Sequence, residues 1–213
     1  MTTDERTQTL INYSRVLYER KLLHATGGNT SVRDGEHILI SQTGAELGSL
    51  TKDQVVRVDL DGKVLAGTAP SKEMGMHLAM YRARPSAGAV IHAHPTYAIT
   101  LSAMLEGAPT NAIPPFTAAF YVRAGRVPLI PYHPSGAHSL HEAVEALAAD
   151  YHAILLRQHG LLVAGTDMAQ TVGMVEEIEQ CCQITVASGN KGACLTEAQC
   201  HEIDLALGRT WKK

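Results

Sequence analysis

Two histidines separated by one residue, His92 and His94 in the stretch IHAHP, are the first residues of this sequence able to do chemistry together. On a strand, positions two apart point to the same face with Cα atoms roughly 6.6 to 7 Å apart. Both imidazoles then reach one ion at metal–nitrogen distances of about 2.0 to 2.1 Å. The bland reading of an H-x-H pattern is a pair of polar residues on a wet face. The flanking Ala89, Val90, Ile91 and Ala93 argue against it, because they make the strand apolar and buried, and a buried imidazole needs partners for its ring nitrogens. His159, in LLRQHGLL, is a third histidine set in an apolar run, followed by Gly160, which permits a tight turn. Taken alone it reads equally well as a satisfied core histidine. Three imidazoles leave one place for a carboxylate in a four-coordinate site, but composition does not choose among the 21 acidic residues.

These groups must be held by alternating helices and strands. Residues 5–22 carry apolar positions at helical spacing, whereas HILISQTG and VVRVDL read as short strands bounded by turn residues. Ser71 is placed to cap a helix through MGMHLAMYRAR, so Glu73 opens that helix. The stretch from Pro85 to Gly88 ends it, and AVIHAH follows as a buried strand carrying His92 and His94. Further on, RVPLIPY is strand-like, SLHEAVEALAAD is an amphipathic helix, and HAILLRQHGLLVAG reads as two strands around a turn. Residues 167–188 and 195–208 read as closing helices. Several short hairpin-like connections favour an α/β sandwich with a mainly antiparallel or mixed sheet over a doubly wound parallel one. No repeat or linker divides the chain, so one domain over 1–213 is expected.

Composition removes several function classes. The 213 residues, 45% hydrophobic, suit one globular core. A formal charge of −3 with no basic block gives no footprint for nucleic acid. The start MTTDERTQTL is polar and acidic and no stretch has the apolar length of a membrane span, so no membrane partner and a cytoplasmic location are expected. Cys181, Cys182, Cys194 and Cys200 lack the C-x-x-C spacing of a zinc site and are expected as reduced thiols.

Five stretches occur together: TGGNTSVR at 26–33, SQTG at 41–44, PSKE at 70–73, the H-A-H at 92–94 and QHG at 158–160. In this order and spacing they resemble the class II aldolase/adducin family, and the likeness covers nearly the whole chain. The resemblance implies a three-layer α/β/α fold with a central, mainly antiparallel sheet. It also implies a homotetramer with active sites at subunit interfaces, and one divalent ion per subunit. Zinc is the first expectation, though manganese, cobalt or iron suit the same donors. His92, His94 and His159 are the implied ligands, with Glu73 as ligand or catalytic acid/base. Gly28, Asn29, Thr43, Gly44 and Ser71 resemble a pocket for a substrate phosphate. Their chemistry fits, since Gly27 and Gly28 let backbone approach an anion, Asn29, Thr43 and Ser71 offer side-chain donors, and Gly44 frees a backbone N–H. Lys72 either adds charge to that pocket or lies solvated outside it.

The family includes sugar-phosphate aldolases, a ribulose-phosphate epimerase, a dehydratase, decarboxylases and noncatalytic adducin heads. Adducin-type heads lack the complete ligand set, whereas all four residues are present here. PSKE and residues 113–132 are most similar to the decarboxylases of 3-oxo-tetronate 4-phosphates. The tyrosine acid of the fuculose-phosphate aldolase pattern, near Pro115, is missing. The resemblance therefore implies a metal-dependent carbon–carbon lyase acting through an enediolate on a small phosphorylated sugar acid or ketose. Decarboxylation of a 3-oxo-tetronate 4-phosphate to dihydroxyacetone phosphate and CO2 is the leading expectation. An L-fuculose-phosphate-type aldolase or an epimerase is the alternative, and a noncatalytic metal-stabilised binding domain the other. Tyr121 or Tyr132 would replace the missing acid, Arg123 would orient the departing carboxylate, and His77, four residues after Glu73 on its helix, would either hold the Glu73 side chain or pack at an interface.

Overall fold

The alternating HILIS and VVRVD runs and the continuously apolar AVIHA, AILL and GLLVAG runs become neighbouring strands of one eight-stranded sheet. The structure, a computed structural model, describes residues 1–211. Its strands are β1 (Asn29–Asp34), β2 (His37–Ser41), β3 (Val55–Asp59), β4 (Val64–Ala66), β5 (Ala89–Ala93), β6 (Leu129–Ile130), β7 (Ala153–Leu156) and β8 (Gly160–Gly165). Its helices are α1 (Thr3–Glu19), α2 (Met74–Ala83), α3 (Thr96–Met104), α4 (Ala118–Ala124), α5 (His138–Ala148), α6 (Met168–Ala187) and α7 (Glu197–Ala206). The sheet runs in the order β4-β3-β2-β1-β5-β8-β7-β6, and every pairing is antiparallel except β6 with β7.

Strand alternation divides the core into two layers. Ala89, Ile91 and Ala93 of β5 pack with α1, α3, α4 and α6, while Val90 packs on the other face with α2 and α5. Burial of a side chain the size of Ile91 or Val90 contributes about 1.5 to 3 kcal/mol. The result is an α/β/α sandwich with a mostly antiparallel sheet. Among the described residues, no helix is long and apolar enough to cross a membrane.

Several expectations shift at the level of elements. RVPLIPY pairs only at Leu129–Ile130, because Pro128 and Pro131 on either side have no N–H for a ladder. Asn29–Asp34, read from sequence only as a glycine-rich anion segment, is a central strand. Helices α3 and α4 went unread. Helix α3 is apolar on all sides rather than amphipathic, and α4 is only 7 residues long. Ser71 is not the cap of α2. That position belongs to Glu73, and the Ser71 hydroxyl instead accepts from the Glu73 N–H at 3.2 Å.

Antiparallel pairing, together with the parallel pairing of β6 with β7, brings distant segments to one end of the sheet. Strands β1, β3 and β8 begin there, and β2, β5, β6 and β7 end there. The loop 24–28 before β1, the residues after β2, His94 after β5, the loop after β6 and the β7–β8 turn are thereby gathered together.

Candidate active site

His92 is the last but one residue of β5 and sits opposite Asn29 of β1 in the ladder. Its Nδ1 lies 3.1 Å from the Leu161 carbonyl oxygen, which only accepts. The proton therefore sits on Nδ1 and the Nε2 lone pair points into the site. His94 lies just beyond the strand rather than on it, tied back by its N–H to the Leu22 carbonyl at 3.2 Å. Even so its Nε2 comes within 3.0 Å of Nε2 of His92. His159 occupies the β7–β8 turn, and its ring centroid stands 4.8 Å from that of His92 and 5.3 Å from that of His94. Ligand atoms of the three imidazoles all fall within 4.8 Å of one another.

Two glycines make this convergence sterically feasible. A Cβ on Gly160 would stand 2.3 Å from the Ala93 carbonyl oxygen and 2.8 Å from the His94 ring, and one on Gly27 would stand 2.6 Å from Nδ1 of His94. The tight turn expected at Gly160 is instead made by Gln158, at φ 53. Ala25 and Ala69 also have positive φ, at 48 and 49, so three non-glycine residues in this conformation immediately precede segments of the site. Such positions cost about 1 to 3 kcal/mol each and persist where the surrounding structure dictates them.

Glu73 enters from the face of the sheet covered by α2. Its carboxylate is 3.4 Å from Nε2 of His92 and 3.1 Å from Nε2 of His159. Oε2 accepts from Nδ2 of Asn29 at 2.9 Å, and Oε1 accepts from Oγ of Ser135 at 2.6 Å. Burial alone would raise the Glu73 pKa, but His159, His92, Ser135 and Asn29 outweigh it and hold the carboxyl ionised well below the usual range. Burial pushes His92 far down, partly offset by Glu73, and brings His94 to about 4 with help from His159. Neutral imidazoles beside an ionised carboxylate form a donor set that suits a divalent ion.

A cavity of about 240 Å³ opens beside these groups, lined by Glu73 and His94 together with Gly28, Asn29, Thr43, Gly44, Ser71 and Lys72. All six residues read as a phosphate pocket therefore line it. The Lys72 stem packs near Gly136, and Lys72 is the least of the groups that lower the pKa of His94. The Thr43 N–H is spent on the Ala69 carbonyl, which leaves its hydroxyl for a ligand. Ser135, Gln42 and Thr26 also line the cavity and were missed by sequence reasoning. Ser135 lies in an irregular, proline-rich loop, where no periodicity marks a hydroxyl that will meet Glu73.

The auxiliary candidates lie elsewhere in the chain. The Tyr121 hydroxyl, buried in α4, donates to Asp204 at 2.9 Å, and burial together with Asp204 pushes its pKa up to about 12. Arg123 pairs with Glu177 at 3.7 Å. Tyr132 is 62% exposed in the loop that carries Ser135. His77 does not touch Glu73 directly but reaches it through Asn29. The four cysteines are free thiols outside the cavity, three of them buried.

Residues 8–186 match the family model described as Class II Aldolase and Adducin N-terminal domain. The chain belongs to this family. It is 34% identical over 206 residues to the 3-oxo-tetronate 4-phosphate decarboxylase of Haemophilus influenzae, covering 96% of this chain and 98% of that protein. It is 32% identical over 184 residues to an L-fuculose phosphate aldolase of Methanococcus maripaludis, covering 85% of this chain and 98% of the other. The crystal structure of YgbL from Klebsiella pneumoniae superposes with a TM-score of 0.91 at 32% identity, covering 95% and 99% of the two chains. The chain is accordingly a lyase of the class II aldolase family, whose dependence on a divalent ion agrees with the three converging imidazoles.

Proposed function

We propose that this class II lyase decarboxylates a 3-oxo-tetronate 4-phosphate to dihydroxyacetone phosphate and CO2. The observation that carries the reading is the lining of one cavity: hydroxyl, amide and lysine donors that suit a phosphate stand in it beside Glu73 and His94, and Glu73 in turn reaches His92 and His159. The choice of decarboxylation is supported by the end-to-end likeness to the Haemophilus influenzae decarboxylase.

One divalent ion per subunit, zinc first among candidates, would be held by His92, His94 and His159 with Glu73 alongside. Bound there, it would withdraw electrons from the substrate's C3 carbonyl. Thr43, Gly44, Ser71 and Lys72 grip the phosphate, which holds the rest of the substrate beside Glu73. When the C1–C2 bond breaks, CO2 leaves and the electron pair becomes a C2–C3 enediolate. Glu73 is ionised in the free site, and the negative charge of a bound substrate raises its pKa. It then carries the proton that is returned to C2. Assembly as a homotetramer with sites at subunit interfaces belongs to the same reading.

Aldol cleavage of a ketose 1-phosphate is the second reading, favoured by the Methanococcus maripaludis relative. Both reactions pass through the same enediolate, so the products separate them. Metal-reconstituted protein should release CO2 from a 3-oxo-tetronate 4-phosphate and form triose phosphate in equal amount. Release of an aldehyde and triose phosphate from fuculose 1-phosphate, without CO2 from any 3-oxo acid phosphate, would establish the aldolase reading instead.

A further inference from the structure

From Asn29, in the cavity lining beside Glu73, a row of buried polar side chains runs away from the cavity into the core. Asn29 and Ser31 are two apart on β1 and share a face. His77 and Tyr81 follow Glu73 at intervals of four along α2 and share its inward stripe. The two elements interlock like a zip. Nε2 of His77 is 2.6 Å from Oδ1 of Asn29, Nδ1 of His77 is 2.7 Å from Oγ of Ser31, and that oxygen is 3.0 Å from the Tyr81 hydroxyl. Ser31, His77 and Tyr81 are at most 1% exposed.

The ionised end of the row sets the direction of every bond. A carboxylate only accepts, so Asn29 turns its NH2 toward Glu73 and leaves its carbonyl oxygen to His77. Nε2 of His77 therefore carries a proton. Burial keeps the ring neutral, at about 3, so Nδ1 is bare and must accept from the Ser31 hydroxyl. Ser31 has then spent its only proton, and Tyr81 donates to it. Four donors in succession point at one carboxylate oxygen.

We propose that His77 is a positioning residue for the lyase reaction: by donating from Nε2 to Asn29 it locks the amide with its NH2 facing Glu73 and so aims that carboxylate at the substrate. The proposal rests on Glu73 as the proton carrier. It holds for decarboxylation and aldol cleavage alike, because both use the same enediolate. A merely structural row would tolerate any variant that preserves packing, whereas a positioning role depends on the donor at Nε2.

Two substitutions separate these roles. In His77→Gln the side-chain amide reaches the Nε2 position and still donates to Asn29. In His77→Asn the shorter amide reaches only the Nδ1 position, toward Ser31. On whichever substrate the wild-type protein turns over, kcat of His77→Asn should fall about 10- to 100-fold with little change in KM, while His77→Gln retains most of the wild-type kcat. Equal losses in the two variants, or a loss confined to KM, overturn the proposal. Nitrogen-15 NMR of the wild-type protein, which needs neither variant to fold, should find the His77 proton on Nε2. A proton on Nδ1, or on both nitrogens, overturns it as well. Absence of any wild-type turnover would count against the lyase reading, and the tautomer would then decide the direction of the row by itself.

Discussion

The hydroxyl of Ser135 donates to Oε1 of Glu73 across 2.6 Å, joining an exposed loop after β6 to the carboxylate that opens α2. A donor to the charged form lowers a carboxyl's pKa, and a hydrogen bond to a charged group is worth about 1.5 to 3 kcal/mol. Ser135→Ala should therefore raise the Glu73 pKa and, because Glu73 acts as the proton donor, move the alkaline limb of the pH–kcat profile upward by about one unit. An unchanged profile would mean that the loop leaves Glu73 during turnover.

Glu73→Gln keeps the side chain's size and one acceptor but cannot move a proton. It should fold, with turnover reduced by about 10²- to 10⁴-fold. Circular dichroism and a steady-state assay check this together. A near-normal rate would place the proton carrier elsewhere.

His92→Ala removes the central imidazole of the cluster and leaves the Leu161 carbonyl without its donor. Elemental analysis of the purified variant should find the divalent ion lost. Retention of a full equivalent would contradict the three-imidazole site.

Asn29 and Thr43 both line the cavity, yet only Asn29 also holds Glu73. Thr43→Ala should weaken competitive inhibition by inorganic phosphate with kcat kept, whereas Asn29→Ala should weaken it and lower kcat together. Parallel behaviour of the two variants would show that the cavity and the carboxylate are not coupled through Asn29.

Burial, reinforced by neighbouring arginines at His152, lowers His77 to about 3 and His152 to about 4 in the folded chain. Unfolded, each titrates near 6.5. Between these values the unfolded state binds more protons, so stability falls as pH drops. The apo protein should lose melting temperature steadily from about pH 6.5 toward pH 4, and His152→Gln should flatten part of that slope. A melting temperature constant over this window would show that the two rings titrate normally in the fold.

Much of the fold was legible because periodicity reports burial. The strands around His92 and His159 and helices α2, α5 and α6 follow from their apolar patterns. Segments whose pattern is blunt escaped, among them the uniformly apolar α3 and the short α4. The H-x-H spacing pointed to a shared partner, although His94 lies beyond the strand on which that geometry was argued.

By itself the sequence set three histidines in apolar stretches, where bare ring nitrogens demand partners, although the fold buries only His92 fully and leaves His94 and His159 half-buried, and its five ordered stretches determined the family. Only the tertiary structure decided which groups meet. Antiparallel pairing carries the ends of β2, β5 and β7 to the same end of the sheet, and the parallel pairing of β6 with β7 brings the end of β6 there too, so Ser135 reaches a carboxylate 62 residues away in the chain. Asn29 faces Glu73 rather than the cavity alone because His77 holds its carbonyl oxygen. Tyr121, a tyrosine as eligible by sequence as any other, is turned into the core against Asp204. Residue type fixes what a side chain is able to do, but strand order and helix packing fix its neighbour, and a misplacement of about 1 Å can cost about 100-fold in rate.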